Sequence, residues 1–355
     1  MSEILKVLIV DDSPSVRELL RHIVNSAPDM HAVGLAKDGL EAVQMVHDLH
    51  PDVILMDVIM PRMDGLEATS EIMYAVPTPI VLVTASLESH ETDIAFRAMS
   101  LGALALYRKP EGPAHSEHTA QAALLLNKLR LMAGVQVIRH RKGRVGLSPA
   151  PSSRIEAAPG ITAPPEIIAI VASTGGPGAL VTIMQGLPSD FAIPIVIVQH
   201  ISPDFVDSLR SWIARTTPLT VAVAQPGERP LPGSAYLAPG GKHLRLTRSH
   251  RFELDEKPST AYHIPSGDIL LESIGNSYGK RAVGVVLTGI GDDGAHGLRV
   301  MADAGAFTIA QDEATSAVYG MPKAALALGA ARQVLPLPDI ASALMRLAHA
   351  KGNAP

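Results

Sequence analysis

Leu5-Lys6-Val7-Leu8-Ile9-Val10-Asp11-Asp12 decides the fold: a short, mostly apolar run ends in two acids. The design returns three times. Asp52-Val53-Ile54-Leu55-Met56 leads into Asp57, Pro79-Ile80-Val81-Leu82-Val83 into Thr84, and Ala103-Leu104-Ala105-Leu106-Tyr107-Arg108 into Lys109-Pro110. Short apolar runs separated by amphipathic stretches read as parallel strands joined by helices. The ligand crevice of such a sheet lies at the carboxyl ends of its strands, so three carboxylates, a hydroxyl and an amine converge there. Carboxylates that close repel one another unless a divalent cation sits among them, and an all-oxygen donor set suits Mg²⁺. That cation, on Asp11, Asp12 and Asp57, and the Lys109 ammonium supply the charge needed to bring a phosphoryl group onto Asp57. Taken singly, Asp11 and Asp12 are a helix cap and Lys109 a solvated lysine. Strand-end matches in the right order argue against that.

The 355 residues suggest two or three domains. Hydrophobic residues make up 47% and aromatics only 3%, so the cores are aliphatic. There is no cysteine, which excludes disulfides, a thiol nucleophile and thiolate zinc sites. No apolar run approaches the roughly 18 residues of a membrane span, and Met1–Lys6 lacks a signal-peptide pattern. The expectation is a cytoplasmic protein without membrane insertion. The net charge of −5 is uneven: residues 1–110 carry 8 basic and 16 acidic side chains, residues 111–165 carry 7 and 3. No concentrated basic face points to nucleic acid.

Helix faces follow at Pro14–Ser26, Gly39–Leu49, Gly65–Ala75, Ser89–Leu101 and Ser116–Val135, giving five strand–helix units. Arg139-His140-Arg141-Lys142-Gly143-Arg144 is basic, and Ser148–Pro165 is rich in Pro, Ser and Ala. Such a stretch buries too little to order itself. The reading divides the chain into a first domain at 1–135, a flexible linker at 136–165 and a second domain at 166–355. In the second, strands are expected at Ile167–Ala172, Ile193–Gln199, Leu219–Ala224, Ala235–Ala238, Ala282–Thr288 and Phe307–Ala310. Alternation in Lys242–Arg248 and Arg251–Asp255 around Ser249-His250 reads as an antiparallel hairpin. Helices are expected at Gly178–Gly186, Phe205–Thr216, Ser266–Tyr278, Gly294–Ala304, Pro322–Leu328 and Leu337–His349. The fold class is α/β twice over, the second a doubly wound, mostly parallel sheet with a hairpin.

Three strand ends of that domain carry chemistry. Ile168–Ala172 delivers Ser173-Thr174-Gly175-Gly176, Ile193–Gln199 delivers His200, and Val283–Thr288 leads into Gly289-Ile290-Gly291-Asp292-Asp293-Gly294. A serine nucleophile needs an imidazole to take its proton, and the imidazole needs a carboxylate to fix its tautomer. The following helix start offers free amides to an oxyanion. Each signal alone is weak. Ser173 before two glycines also suits a phosphate-cradling turn, His200 a structural histidine, and Asp293 a helix cap. The P-loop pattern is absent, and Val171 stands where the nucleophile elbow of α/β-hydrolases has glycine.

The segment Met56-Asp57-Val58-Ile59-Met60-Pro61-Arg62-Met63-Asp64-Gly65, with the strand-end set, resembles the receiver domain of two-component response regulators. Ala172–Gly176, Gln199-His200, Leu231–Gly240, Leu287–Gly294, Gln311–Ala314 and Tyr319–Pro322 occur in the order found in chemotaxis protein-glutamate methylesterases, and the whole chain is similar to that family. The resemblance implies a flavodoxin-like (βα)5 receiver followed by a methylesterase domain. It implies hydrolysis of glutamate γ-methyl esters on the cytoplasmic helices of chemoreceptors, with deamidation of receptor glutamines. It also implies phosphorylation by the chemotaxis histidine kinase. The nucleophile falls on Ser173, the base on His200, the orienting acid on Asp293 and the oxyanion amides on Thr174 and Ile290. The phosphoacceptor falls on Asp57, with Asp11 and Asp12 holding Mg²⁺ and Thr84 and Lys109 touching the phosphoryl group. The esterase itself needs no cofactor. Asp292 replaces the usual asparagine, and a second carboxylate beside Asp293 raises a pKa in such a pair. Ile264 replaces a common arginine. Two rivals stand beside this reading: a receiver joined to a catalytically silent docking module, and a nucleotide-binding domain. Methanol release separates the first, nucleotide binding the second.

Overall fold

The computed structural model describes residues 4–86, 89–135, 137, 164–255 and 263–349. The linker expected at 136–165 falls almost wholly outside them. Two compact units emerge, Met1–Lys142 and Gly143–Pro355.

The first alternates strand and helix without exception: β1 (Leu5–Val10), α1 (Pro14–Ser26), β2 (Met30–Ala36), α2 (Gly39–Leu49), β3 (Val53–Asp57), α3 (Gly65–Ala75), β4 (Ile80–Thr84), α4 (Ser89–Ser100), β5 (Ala105–Arg108) and α5 (His118–Ala133). The strands form one parallel sheet in the order β2-β1-β3-β4-β5. β3 and β4 are buried along their whole length, as expected when helices cover both faces of a parallel sheet. From β1 the chain steps outward to β2, then returns to β3 on the other side. The loops after β1 and β3 therefore diverge and open a crevice. Asp38 and Asp64 start α2 and α3 by accepting the amides of Glu41 and Glu67 at 3.0 and 2.9 Å. Gly65 is required by proximity: a Cβ there would lie 2.6 Å from the Asp57 carbonyl oxygen.

The second unit contains β6 (Ile167–Ala172), α6 (Gly176–Gln185), β7 (Ile195–Gln199), α7 (Val206–Thr216), β8 (Thr220–Val223), β9 (Ser234–Leu237), β10 (His243–Leu246), β11 (Phe252–Asp255), α8 (Gly267–Tyr278), β12 (Ala282–Val286), α9 (Ala295–Asp303), β13 (Phe307–Gln311), α10 (Met321–Ala327), β14 (Gln333–Leu335) and α11 (Leu337–Ala348). Seven strands pair in parallel in the order β14-β13-β12-β6-β7-β9-β8. β6 is completely buried, and each Ile or Val in it contributes about 1.5–3 kcal/mol by leaving water. The expected hairpin forms as β10 and β11. Its Phe252 packs on Tyr236 with ring centroids 5.0 Å apart. Ser273 and Ser277 of α8 satisfy the backbone of Leu246, so a helix covers that edge. β2 and β14, which the apolar runs did not mark, are both edge strands. The chain leaves β6 toward β7 and later returns on the other side as β12, which makes the β6/β12 boundary the second crevice.

Candidate functional sites

In the first crevice Asp11 and Asp57 are buried and Asp12 is exposed. One carboxylate oxygen from each lies within 4.8 Å of the others. Lys109 Nζ bridges the buried pair, 2.7 Å from Asp11 Oδ2 and 2.7 Å from Asp57 Oδ2. Burial pushes the Asp57 carboxyl up to about 6, with the Asp11 charge adding to it and the Lys109 ammonium opposing it. One ammonium among three carboxylates leaves an excess of negative charge in a low-dielectric pocket. That excess, and the all-oxygen donor set, fit a hard divalent cation. Thr84 does not join this cluster. Its hydroxyl faces the Ser86 carbonyl at 3.0 Å and Glu91 Oε2 at 2.5 Å.

In the second crevice, adjacent strand ends are stitched together. Ser173 N donates to Thr288 O at 3.0 Å, and His200 N donates to Ala172 O at 2.9 Å. Strands paired at ~4.8 Å thus set the three segments side by side. His200 Nε2 lies 2.7 Å from Asp293 Oδ2. The carboxylate holds the imidazole proton on Nε2, which leaves the Nδ1 lone pair buried and without a hydrogen-bond partner. A bare lone pair at that point is what a general base requires.

Asp293 is 8% exposed and fully used as an acceptor. Oδ2 also takes the Gly267 amide at 2.6 Å, and Oδ1 takes Ser266 Oγ at 2.8 Å and the Asp268 amide at 3.0 Å. The acid sits on the N-terminus of α8, where unpaired amides and the helix dipole favour an anion. Burial alone would raise its pKa. The His200 hydrogen bond and the positive charge of the imidazole when protonated, with the Asp268 and Gly267 amides, bring it well below the usual carboxylate range. For Asp293 the expected rise beside Asp292 is therefore corrected to a fall. Asp292 points to solvent, where its charge is screened.

Among the described residues, neither Thr174 N nor Ile290 N donates a backbone hydrogen bond. The peptide that follows Thr174 is held by Thr288, whose hydroxyl donates to Thr174 O at 2.9 Å and accepts from Val318 N at 2.9 Å. Gly289 permits the close approach, since a Cβ there would meet Met321 Sδ at 2.1 Å and Ser173 Cβ at 2.7 Å.

Sequence reasoning missed several members of this site. Gln199 Nε2 donates to Ser173 O at 2.8 Å and to His200 O at 3.0 Å, tying the two loops together. His263 stacks on His200, centroids 4.3 Å apart and planes 15° apart. Ser266 and Thr288 complete the group. The available signal was slight: a glutamine beside the histidine, a serine opening α8 and a threonine closing β12.

Residues 168–344 match the CheB methylesterase family, and residues 7–121 match the response regulator receiver domain. The chain is 42% identical over 351 residues to protein-glutamate methylesterase/protein-glutamine glutaminase 2 of Paramagnetospirillum magneticum, covering 98% of this chain and 99% of the relative. It is 44% identical over 345 residues to protein-glutamate methylesterase/protein-glutamine glutaminase 1 of Syntrophus aciditrophicus, with 97% and 98% covered. The crystal structure of the Thermotoga maritima CheB methylesterase catalytic domain is similar at a TM-score of 0.50 and 38% identity, over 52% of this chain and 98% of that one.

Proposed function

Because the chain belongs to the CheB methylesterase family and carries a receiver domain, we propose that it is a phosphorylation-activated protein-glutamate methylesterase of chemoreceptors that also deamidates receptor glutamines. The observation that carries the chemistry is the His200 Nε2–Asp293 bond at 2.7 Å with Nδ1 left bare. His200 Nδ1 takes the Ser173 hydroxyl proton as Oγ attacks the ester carbonyl of a receptor glutamate. Negative charge develops on the carbonyl oxygen and rests on the Thr174 and Ile290 amides, each such donor being worth roughly 10²–10³ in rate. Asp293 stabilises the imidazolium formed meanwhile. The imidazolium returns its proton to the leaving methoxide, and methanol departs. Water, deprotonated at the same nitrogen, cleaves the acyl-enzyme to a glutamate carboxylate and regenerates Ser173. With a glutamine substrate, ammonia leaves in place of methanol.

In the receiver, Asp57 accepts the phosphoryl group from the chemotaxis histidine kinase. Asp11, Asp12 and Asp57 would hold Mg²⁺, which neutralises the phosphoryl oxygens during transfer. Lys109, already on Asp57, pairs with the phosphoryl group, and Thr84 reaches it by turning its hydroxyl away from Ser86 and Glu91. No described helix is long and apolar enough to cross a membrane. The reading puts the enzyme in the cytoplasm, where its substrate helices lie. The test is methanol release from methylated receptor, with and without a small phosphodonor and Mg²⁺. Release should rise with phosphodonor in the wild type and stay at the basal rate in Asp57→Asn. Absence of methanol under all conditions would leave a silent docking module as the better account.

A further inference from the structure

Helices α8 and α9 each carry the acid that caps the other. Asp293, just before α9, takes the first amides of α8, those of Gly267 and Asp268. In return Asp268 Oδ1 accepts from Gly294 N at 2.9 Å and Gly297 N at 2.7 Å. The α9 N-cap is Gly294, in the left-handed region at φ 91°, and it has no side chain with which to cap its own helix. Ala295 N finds Asp292 O at 2.9 Å, but the Gly294 and Gly297 amides depend on an acceptor from outside. The two helices approach closely enough to provide one: a Cβ at Gly297 would lie 2.6 Å from the Asp268 carbonyl oxygen.

The amide that Asp268 grips belongs to the residue directly after Asp293. A helix start with glycine at 294 and 297 has little intrinsic preference for helix; the backbone closes the turn through Ala295 N on Asp292 O at 2.9 Å and Leu298 N on Gly294 O at 3.0 Å, while the Gly294 amide itself is held by Asp268. We propose that Asp268 is a positioning residue of the esterase: by clamping Gly294 and Gly297 it fixes the main chain that presents Asp293 to His200. This rests on reading Ser173, His200 and Asp293 as the reacting set. Asp268 itself touches neither substrate nor His200. Burial raises its pKa and the Asp293 charge adds to this, while the Gly297 and Gly294 amides oppose the shift. The amides it binds thus offset only part of its electrostatic cost next to another carboxylate.

An ordinary helix cap would affect stability and leave the chemistry of the folded enzyme intact. Full-length wild type, Asp268→Ala, Asp268→Asn and Ser173→Ala are compared for methanol release from methylated receptor, corrected for folded fraction by circular dichroism. In Asp268→Ala the kcat should fall about 10- to 100-fold, the scale of a misplaced catalytic group, with KM within about twofold. The low-field proton resonance of the His200–Asp293 bond should broaden or vanish with it. Asp268→Asn keeps an Oδ1 acceptor for both amides and should recover kcat to within about threefold of wild type, at the cost only of one charged acceptor. An alanine variant with more than half the wild-type kcat, or an asparagine variant as impaired as alanine, overturns the proposal. If the alanine variant does not fold, Asp268→Glu decides: one extra methylene displaces the carboxylate, so a wild-type kcat there refutes the clamp and a lowered one supports it. Ser173→Ala is the separate control, since activity surviving in that variant sinks the reacting set itself and not the clamp alone.

Discussion

Asp293→Asn should cost far less than the loss of a triad acid in which the histidine tautomer is reversed. The side chain accepts four hydrogen bonds, two at each oxygen. An asparagine must place its NH₂ at one of those two corners. At the Oδ2 corner it would face the Gly267 amide at 2.6 Å and His200 Nε2 at 2.7 Å, donor against donor in both directions. The imidazole would then have to move its proton to Nδ1 and lose its basic lone pair. At the Oδ1 corner the NH₂ faces Ser266 Oγ, a hydroxyl that can turn to accept, and the Asp268 amide at the longer distance of 3.0 Å. The second placement is the cheaper one, and it keeps a carbonyl oxygen on His200 Nε2. What is lost is charge. A hydrogen bond to a charged group is worth about 1.5–3 kcal/mol, which corresponds to a fall in kcat of about 10- to 150-fold. Tautomer reversal would cost about 10⁴-fold. Initial rates of methanol release from methylated receptor at neutral pH distinguish the two. A loss beyond about 10³-fold would show that the amide takes the Oδ2 corner, and a loss under about threefold would remove Asp293 from the mechanism.

Ser173→Ala should abolish ester hydrolysis while leaving Asp57 phosphorylation intact; more than about a tenth of wild-type turnover would exclude Ser173 as nucleophile. Asp292→Asn should change kcat by less than about twofold because that carboxylate is solvated, and a larger effect than Asp293→Asn would reverse the assignment. Gln199→Met removes the donor shared by the Ser173 and His200 carbonyls; melting should show a loss of about 1–3 kcal/mol, and an unchanged melting temperature would mean the clamp is energetically idle. Asp57 ionises at about 6 in the folded receiver, above its unfolded value. Its contribution to stability is therefore complete below the unfolded pKa and lost as pH rises through about 6. Mg²⁺ should raise the receiver's melting temperature more at pH ~8 than at pH ~5, because only the ionised carboxylate binds it; an equal rise at both would refute the placement of the ion on Asp57.

The strand-end rule made most of the two crevices legible. Asp11, Asp57, Ser173 and His200 each follow a buried apolar run, and parallel strands bring such positions to one edge whatever the rest of the chain does. β2 and β14 escaped because an edge strand with a half-exposed face has no continuous apolar run to announce it. Gln199, Ser266, Thr288 and Asp268 escaped for another reason: their partners are tens of residues away, as with Asp268 and Gly294 at a separation of 26, and no local period encodes such a pairing. The resemblance placed the orienting acid on Asp293 rather than Asp292, but the direction of its pKa shift lay beyond the sequence. One residue of helix entry turns Asp292 to water and Asp293 onto α8, and only then does the direction of the pKa shift follow.

Thr84 has only one hydroxyl proton, and the Ser86 carbonyl and Glu91 carboxylate already compete for it. A phosphoryl group on Asp57 would enter as a third claimant. If it won that proton, Glu91 at the start of α4 would be released, and a chemical event at a strand end would set a carboxylate loose on a helix. On the proposed phosphoryl contact, the acceptors around Thr84 would outnumber its one proton, and the strongest anion present would dictate which acceptor goes without. Strengthening Glu91's hold would make the domain harder to switch, and weakening it would make the domain easier to switch, without touching Asp57 at all.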